Sequence, residues 1–423
     1  MTVDRFGNAI SKSVGYARGS LLGESADEVR RLTQANRTAA GFVQQQGIEK
    51  VSIFTGNLRF YPVQAPDLPA LCEEWVGPSL YAEELRDAAI KHMGGKGDEA
   101  ATVINRTSAG IIATVLAHAK ERPVISLVPE NDRSHASVTR GAKLAAIPVI
   151  DAYQLPEFKR LLAAHLPRLV VITTVTSELS VLQDDVIARA VHMAKQAGAT
   201  VLLDEAYGTR FRPVLCDGAP SLSFGADLVI TNADKAGLSG PRAGVLCGSR
   251  EALLPVQAKA AELGMEARAP VAVGAMRSLQ NFSPDLLVQE ARDGQALADA
   301  IADVINPDFV SRSALGPKIQ EEDAMEAVLK IAGTETTGRV PAEITAAIGM
   351  ILLRDRGIVT VNTHGQPGGR VSIRLKPTIN AVTRAGGAEA IAGALLAAMQ
   401  ETAANLEDDK WFSALLFGDT QND

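Results

Sequence analysis

The chain has 423 residues, of which 46% are hydrophobic and 22% charged, with a formal net charge of −7. This length predicts two or three structural units with ample core volume, and the composition is that of an ordinary globular enzyme. A net acidic chain without a long run of Lys or Arg excludes tracking along a phosphate backbone, so nucleic acid is not an expected partner. Cys72, Cys216 and Cys247 form no Cys-x-x-Cys pair, and the histidines show no metal-ligand spacing. Buried packing roles in a reducing, cytoplasmic setting are therefore expected, with no metal. Residues 1–20 lack a basic segment followed by an apolar run, and no apolar stretch reaches membrane-spanning length, so neither a signal peptide nor a membrane partner is predicted.

Residues 1–79 predict a helix and an arm. Helical spacing runs over residues 25–46 and stops at Gly47. Residues 51–79 mix short apolar runs, 51–54 and 58–63, with prolines; such an arm must bury its apolar residues on another surface. Residues 80–290 open with a helix at 81–92 and then alternate regularly. Strands are expected at 102–104, 124–128, 147–150, 169–173, 201–203, 228–230 and 244–247, with helices at 108–120, 137–143, 157–165 and 185–196. This pattern predicts an α/β domain with a mainly parallel sheet of about seven strands and both faces covered. Helices at 251–263 and 284–304 follow. Residues 291–423 predict a smaller α+β domain, with strands at 327–331, 358–362 and 371–375, helices at 341–356 and 388–406, and a fraying tail at 421–423.

Asp204 ends one expected strand and Lys235 closely follows the next. Ligands of parallel α/β sheets bind at the carboxyl ends of the strands, so an acid and an amine placed there reach one small ligand. Pyridoxal phosphate (PLP) chemistry uses this pair: the lysine forms a Schiff base, and the carboxylate keeps the pyridine nitrogen protonated. Strand alternation turns Asp204 toward the ligand and Glu205 away. Alone, either residue reads more simply as a helix N-cap or a solvated loop charge. The flanking sequences, Asp204-Glu205-Ala206-Tyr207-Gly208 and Asn232-Ala233-Asp234-Lys235, decide for the pair.

With the turn Gly240-Pro241-Arg242-Ala243-Gly244, these stretches resemble fold-type I PLP enzymes. The likeness is to the selenocysteine synthase-like branch, which has a Ser-Gly-Asp-Lys-type loop before a Gly-Pro-x-Ala-Gly turn and includes archaeal PLP proteins and sugar-acid ammonia-lyases. It covers residues 80–290 well and the ends loosely. The resemblance implies that Ala206 lies against the pyridine ring, that His135 stacks on its other face and could serve in proton transfer, and that Asn232 contacts the cofactor phosphate; Arg242 departs from the uncharged residue usual in that turn. Thr107, Ser108 and Ala109 open a helix whose free N–H groups and dipole suit that phosphate. Arg106 is open between cofactor phosphate and an anionic substrate, as is Arg242. Thr174, Thr176 and Ser177 are further candidates for contact with the ring oxygen. Arg374 matches the small-domain arginine that clamps a substrate α-carboxylate, with Arg370 second. The expected activity is a PLP-dependent lyase acting on an amino acid. An aminotransferase, a selenium or sulfur transferase, and a non-enzymatic PLP-binding module are the alternatives. A homodimer or a ring of dimers is implied.

Overall fold

The computed structural model describes residues 2–130 and 132–418. Seven strands build one sheet: β1 Ala100–Ile104, β2 Val124–Leu127, β3 Val149–Ala152, β4 Leu169–Thr173, β5 Thr200–Asp204, β6 Leu228–Asn232 and β7 Gly244–Gly248. Their order is β1-β7-β6-β5-β4-β2-β3. The strands from β3 to β6 pair in parallel, whereas β7 runs antiparallel to both β6 and β1. Alternation along β4 explains why residues 169–172 are apolar throughout. Val170 and Ile172 enter one core with Phe158 and Met276, while Leu169 and Val171 enter the opposite core with Val115 and Val256. A sheet covered on both faces leaves no position for a polar side chain until its end.

The chain divides into two compact units, residues 57–288 and residues 1–56 with 289–423. This differs from the expected division at 79/80 and 290/291. Residues 1–56 are tied to the C-terminal elements because Ser52–Ile53 pairs in parallel with Ile358–Val359. Ala35 of the helix Ser25–Gln46 and Phe54 also share a core with Ile344, Ile348 and Leu395. Residues 57–79 belong with the sheet, and the second boundary falls inside the helix Pro284–Val304.

The smaller unit contains a three-stranded antiparallel sheet of Ser311–Ser313, Gly316–Ile319 and Ile373–Arg374. The strand expected at 327–331 is instead part of the helix Glu321–Ala332. A short apolar run does not by itself separate strand from helix. Here Glu321, Glu322 and Asp323 in the first turn and Lys330 in the last complement the helix dipole. The strands expected at 358–362 and 371–375 shorten to Ile358–Val359 and Ile373–Arg374. The helices Gly208–Leu215, Ala269–Gln280 and Asp409–Phe417 were not anticipated. The tail at 421–423 lies outside the described residues. Among the described residues no helix is long and apolar enough to cross a membrane, and no cluster of His, Cys, Asp or Glu suits a metal ion. Cys72 and Cys247 are buried as expected; Cys216 is exposed.

Candidate active site

Asp204 is the last residue of β5, level with Thr173 of β4 and Ile230 of β6. It is 3% exposed and accepts from the Ala206 N–H at 3.4 Å. Burial pushes its carboxyl up to about 6, with that N–H and Lys235 pulling it back and Glu205 adding to the rise. Glu205 serves a different purpose. It is fully buried, takes Arg212 Nη2 at 2.5 Å and Thr174 Oγ1 at 2.7 Å, and is held away from the ligand side. Thr174 is thereby spent on Glu205, and Thr176 Oγ1 accepts from the N–H groups of its own turn, Glu178 and Ser180. Both hydroxyls thus carry bonds within the fold. Replacing Glu205 by Ala leaves the buried Arg212 guanidinium short of its innermost partner. Such a break should cost about 3–5 kcal/mol of stability, read as a shifted urea midpoint of the cofactor-free protein.

Lys235 stands three residues past the end of β6, in a loop bound from several sides. Ala236 and Gly237 adopt positive φ, 52° and 78°, so the chain reverses sharply behind the lysine. The Ala233 carbonyl accepts from Gly240 N at 2.8 Å and from Ser278 Oγ at 2.9 Å. A Cβ on Gly240 would come within 2.6 Å of Ser278 Cβ, so the turn requires glycine there. Asp234 accepts from Arg59 Nε at 3.0 Å and Asn57 Nδ2 at 3.3 Å. The Lys235 Nζ lies 4.8 Å from the centre of the Tyr207 ring. Burial lowers the lysine's pKa; Asp234 and Asp204 oppose the shift, and Arg59 and Arg242 add to it. The result is an amine more readily uncharged than a surface lysine, in the field of the acid expected to partner it.

The helix Thr107–His118 starts immediately after Arg106, and no side chain caps it. Capping by Thr or Ser, the simpler reading of this sequence, is therefore not what these residues do, and the N–H groups of Thr107, Ser108 and Ala109 suit an anion. A Cβ on Gly244 would fall 2.8 Å from the Thr107 backbone, so the turn after the lysine packs directly on this cradle. Arg106 is lowered in pKa by burial and by repulsion from Arg59 and Arg140. Arg242, exposed at its outer side, is pushed down to about 10 by lost hydration and by Arg59 and Arg106. Guanidinium groups so crowded gain from a bound dianion.

The Asn232 side chain is 2% exposed; its Oδ1 accepts from Arg210 at 3.0 Å, while its Nδ2 is buried without a hydrogen-bond partner. Thr173 Oγ1, beside Asp204, is likewise buried and unpartnered. These orphaned atoms, the uncapped helix start and the crowded arginines together fit an anionic cofactor with polar ring substituents, as PLP is.

His135 is the N-cap of the helix Ala136–Leu144, its Nδ1 accepting from Ser137 N at 3.3 Å and contacting Ser137 Oγ at 2.9 Å. Burial, with Lys235 and Arg140 next in effect, pushes the imidazole down to about 4. The ring is therefore neutral at pH 7 with its proton on Nε2. A neutral imidazole suits stacking on a flat ligand. A histidine depressed on folding contributes stability that is present above its unfolded pKa, about 6.5, and lost as pH falls toward 4. His135→Asn, which retains an N-cap acceptor, should flatten the decline in urea midpoint of the cofactor-free protein between pH 7 and 5; an unchanged slope would refute the assignment.

In the smaller unit, Arg374 is buried in its short strand opposite Lys318. Arg370 lines a cleft with Tyr16, Arg31, Asn362 and Gly369. Sequence reasoning missed Asn57, Arg59, Tyr207, Arg210 and Ser278. Tyr207 lies within the stretch 204–208 and Arg210 two residues beyond it, close enough to the strand end to have been candidates. Arg59 and Ser278 reach the lysine loop only through tertiary packing and left no local trace.

No protein-family model matches the chain. The SepCysS–SepCysE N-terminal domain complex contains a chain similar to this one in fold, with a TM-score of 0.56 at 16% identity, covering 85% of this chain and 99% of that one. An alanine–glyoxylate aminotransferase from Nostoc sp. gives 0.53 at 13% identity, covering 83% and 94%. These likenesses show that the chain has the fold of those enzymes, with the acid and the lysine loop at the carboxyl ends of its sheet. At the sequence level, a UPF0425 pyridoxal phosphate-dependent protein of Methanothermobacter thermautotrophicus is 32% identical over 358 residues, 84% of this chain and 89% of that protein. The chain belongs to the UPF0425 pyridoxal phosphate-dependent proteins.

Proposed function

We propose that this PLP-dependent enzyme is a lyase that removes the α-proton of an amino acid, or a closely similar substrate, and then expels a β-substituent or ammonia. When bound, PLP supplies an electron-accepting ring that lowers the energy of negative charge at the substrate Cα. The observation that carries the reading is the Lys235–Asp204 pair. Both groups are withdrawn from water at neighbouring strand ends, the amine lowered and the acid raised in pKa. Lys235 takes the α-proton, Asp204 holds the proton of the ring nitrogen, and the ring of His135 screens that space from water. Arg59 and Arg242 supply positive charge beside the amine, which favours departure of an anionic group. Arg374, with Arg370 second, is the arginine proposed to receive the substrate carboxylate.

A panel of amino acids incubated with PLP-loaded protein tests this reading. Keto acid with released ammonia or a freed β-substituent is expected. Accumulation of the pyridoxamine form would make the enzyme an aminotransferase, and an unchanged cofactor spectrum with every compound would favour a binding module.

A homodimer is proposed on separate grounds. Phe60, Tyr61, Leu68, Val76 and Leu80 are exposed within one stretch, and Trp75 is 91% exposed. Apolar residues so concentrated fit a covered surface, and a second copy is the proposed cover. Light scattering of the PLP-loaded protein should give twice the chain mass or more; a fully active monomer would contradict it.

A further inference from the structure

Arg210, in the helix Gly208–Leu215, is 1% exposed, yet its guanidinium binds both halves of the site. Nη2 donates to the Ala206 carbonyl at 3.3 Å and to Asn232 Oδ1 at 3.0 Å. Nη1 donates to Thr231 Oγ1 at 3.0 Å and faces His92 Nε2 at 3.2 Å. Thr231 Oγ1 in turn donates to the Glu205 carbonyl at 2.9 Å. Ala206 follows the strand that carries Asp204, and Thr231 and Asn232 end the strand that leads to Lys235, so one planar fork joins the two strand ends. His92 is pushed down to about 3 by burial and by Arg210. It is therefore neutral and able to accept at Nε2, and its ring is set edge-on against Phe282, 5.1 Å between centroids at 81°.

The fork also fixes an orientation. A guanidinium only donates, so Asn232 must turn its oxygen toward Arg210. The amide nitrogen then points away from Arg210, and Asn232 Nδ2 is the buried donor without a partner. A flipped amide would set donor against donor.

We propose that Arg210 is a positioning residue for the cofactor: anchored by the Ala206 carbonyl and Thr231, it holds Asn232 Oδ1 and so presents Asn232 Nδ2 to an anionic oxygen of PLP. This rests on the placement of PLP between Lys235 and Asp204 given above. Arginine is required because a lysine ammonium cannot reproduce the planar fork.

The PLP dissociation constant, measured by titrating cofactor-free protein and following the cofactor's absorbance, reads the clamp without recourse to turnover. Asn232→Ala should weaken PLP binding by about 10- to 100-fold, the worth of one hydrogen bond to a charged acceptor. Arg210→Lys should weaken it comparably. The double variant should bind no more than about twofold worse than Asn232→Ala, because coupled residues are not additive. Effects that multiply, or an Arg210→Lys protein that melts earlier yet binds PLP as the wild type does, would overturn the proposal. Should Arg210→Lys fail to fold, Asn232→Asp decides. It keeps an oxygen for Arg210 but puts a second oxygen where the donor stood, so it must fold and bind PLP worse than Asn232→Ala; wild-type affinity would overturn the clamp. Borohydride labelling of the same preparations separates the two levels. Label on Lys235 together with multiplying effects defeats the clamp alone, whereas label on another lysine defeats the cofactor placement and the clamp with it.

Discussion

Lys235→Ala should yield a folded protein that retains PLP poorly and turns over at least about 10³-fold more slowly than the wild type. Folding should survive because the loop is held by groups other than the lysine side chain. The Ala233 carbonyl is bound by Gly240 and Ser278, Asp234 is bound by Arg59 and Asn57, and the backbone of Asn57 bridges that of Lys235. Truncation removes a buried amine whose charged form is already disfavoured, so the melting temperature of the cofactor-free protein should change little. Activity should collapse because Lys235 both anchors the cofactor and moves the proton. Gel filtration followed by absorbance measures cofactor retention, and steady-state rates measure the loss. A variant with wild-type turnover would show that another group does this work.

Asp204→Ala should leave PLP bound and still slow turnover by about 10³-fold or more, with the loss in kcat rather than KM. Its carboxylate is 3% exposed and receives one backbone N–H, from Ala206, so the variant sacrifices little of the fold's own bonding. What it removes is the negative charge that holds a proton on the ring nitrogen. Asp204→Asn, with the same shape and no charge, should be nearly as slow, which separates charge from packing. Near-normal kcat in either variant would remove Asp204 from this role.

The large unit was legible because its strands are covered on both faces. Runs such as 169–172 and 201–203 are uniformly apolar, and the first polar residue after them, as at Asp204, marks the strand's end. Alternation correctly separated Asp204 from Glu205, a separation seen in the Glu205–Arg212 pair. The small unit read less well. Its strands are as short as two residues, too short for period-two alternation to register, and the run 327–331 proved helical. The break between residues 56 and 57 also left no mark, because it depends on Ser52–Ile53 pairing with a strand some 300 residues later. At the site, Asp204, Lys235, Asn232 and the helix start at Thr107 were visible as strand-end and helix-start residues. The groups that orient them, Arg59, Arg210 and Ser278, come from the arm and from neighbouring helices. Their roles exist only once the chain is folded.

The central claim is that Lys235 carries the cofactor. Borohydride reduction of the PLP-loaded protein, proteolysis and mass spectrometry test it most directly. The pyridoxyl mass should appear on the peptide containing Asn232-Ala233-Asp234-Lys235, at Lys235. Label on a different lysine, or a fully PLP-loaded protein that takes no label, would contradict the account.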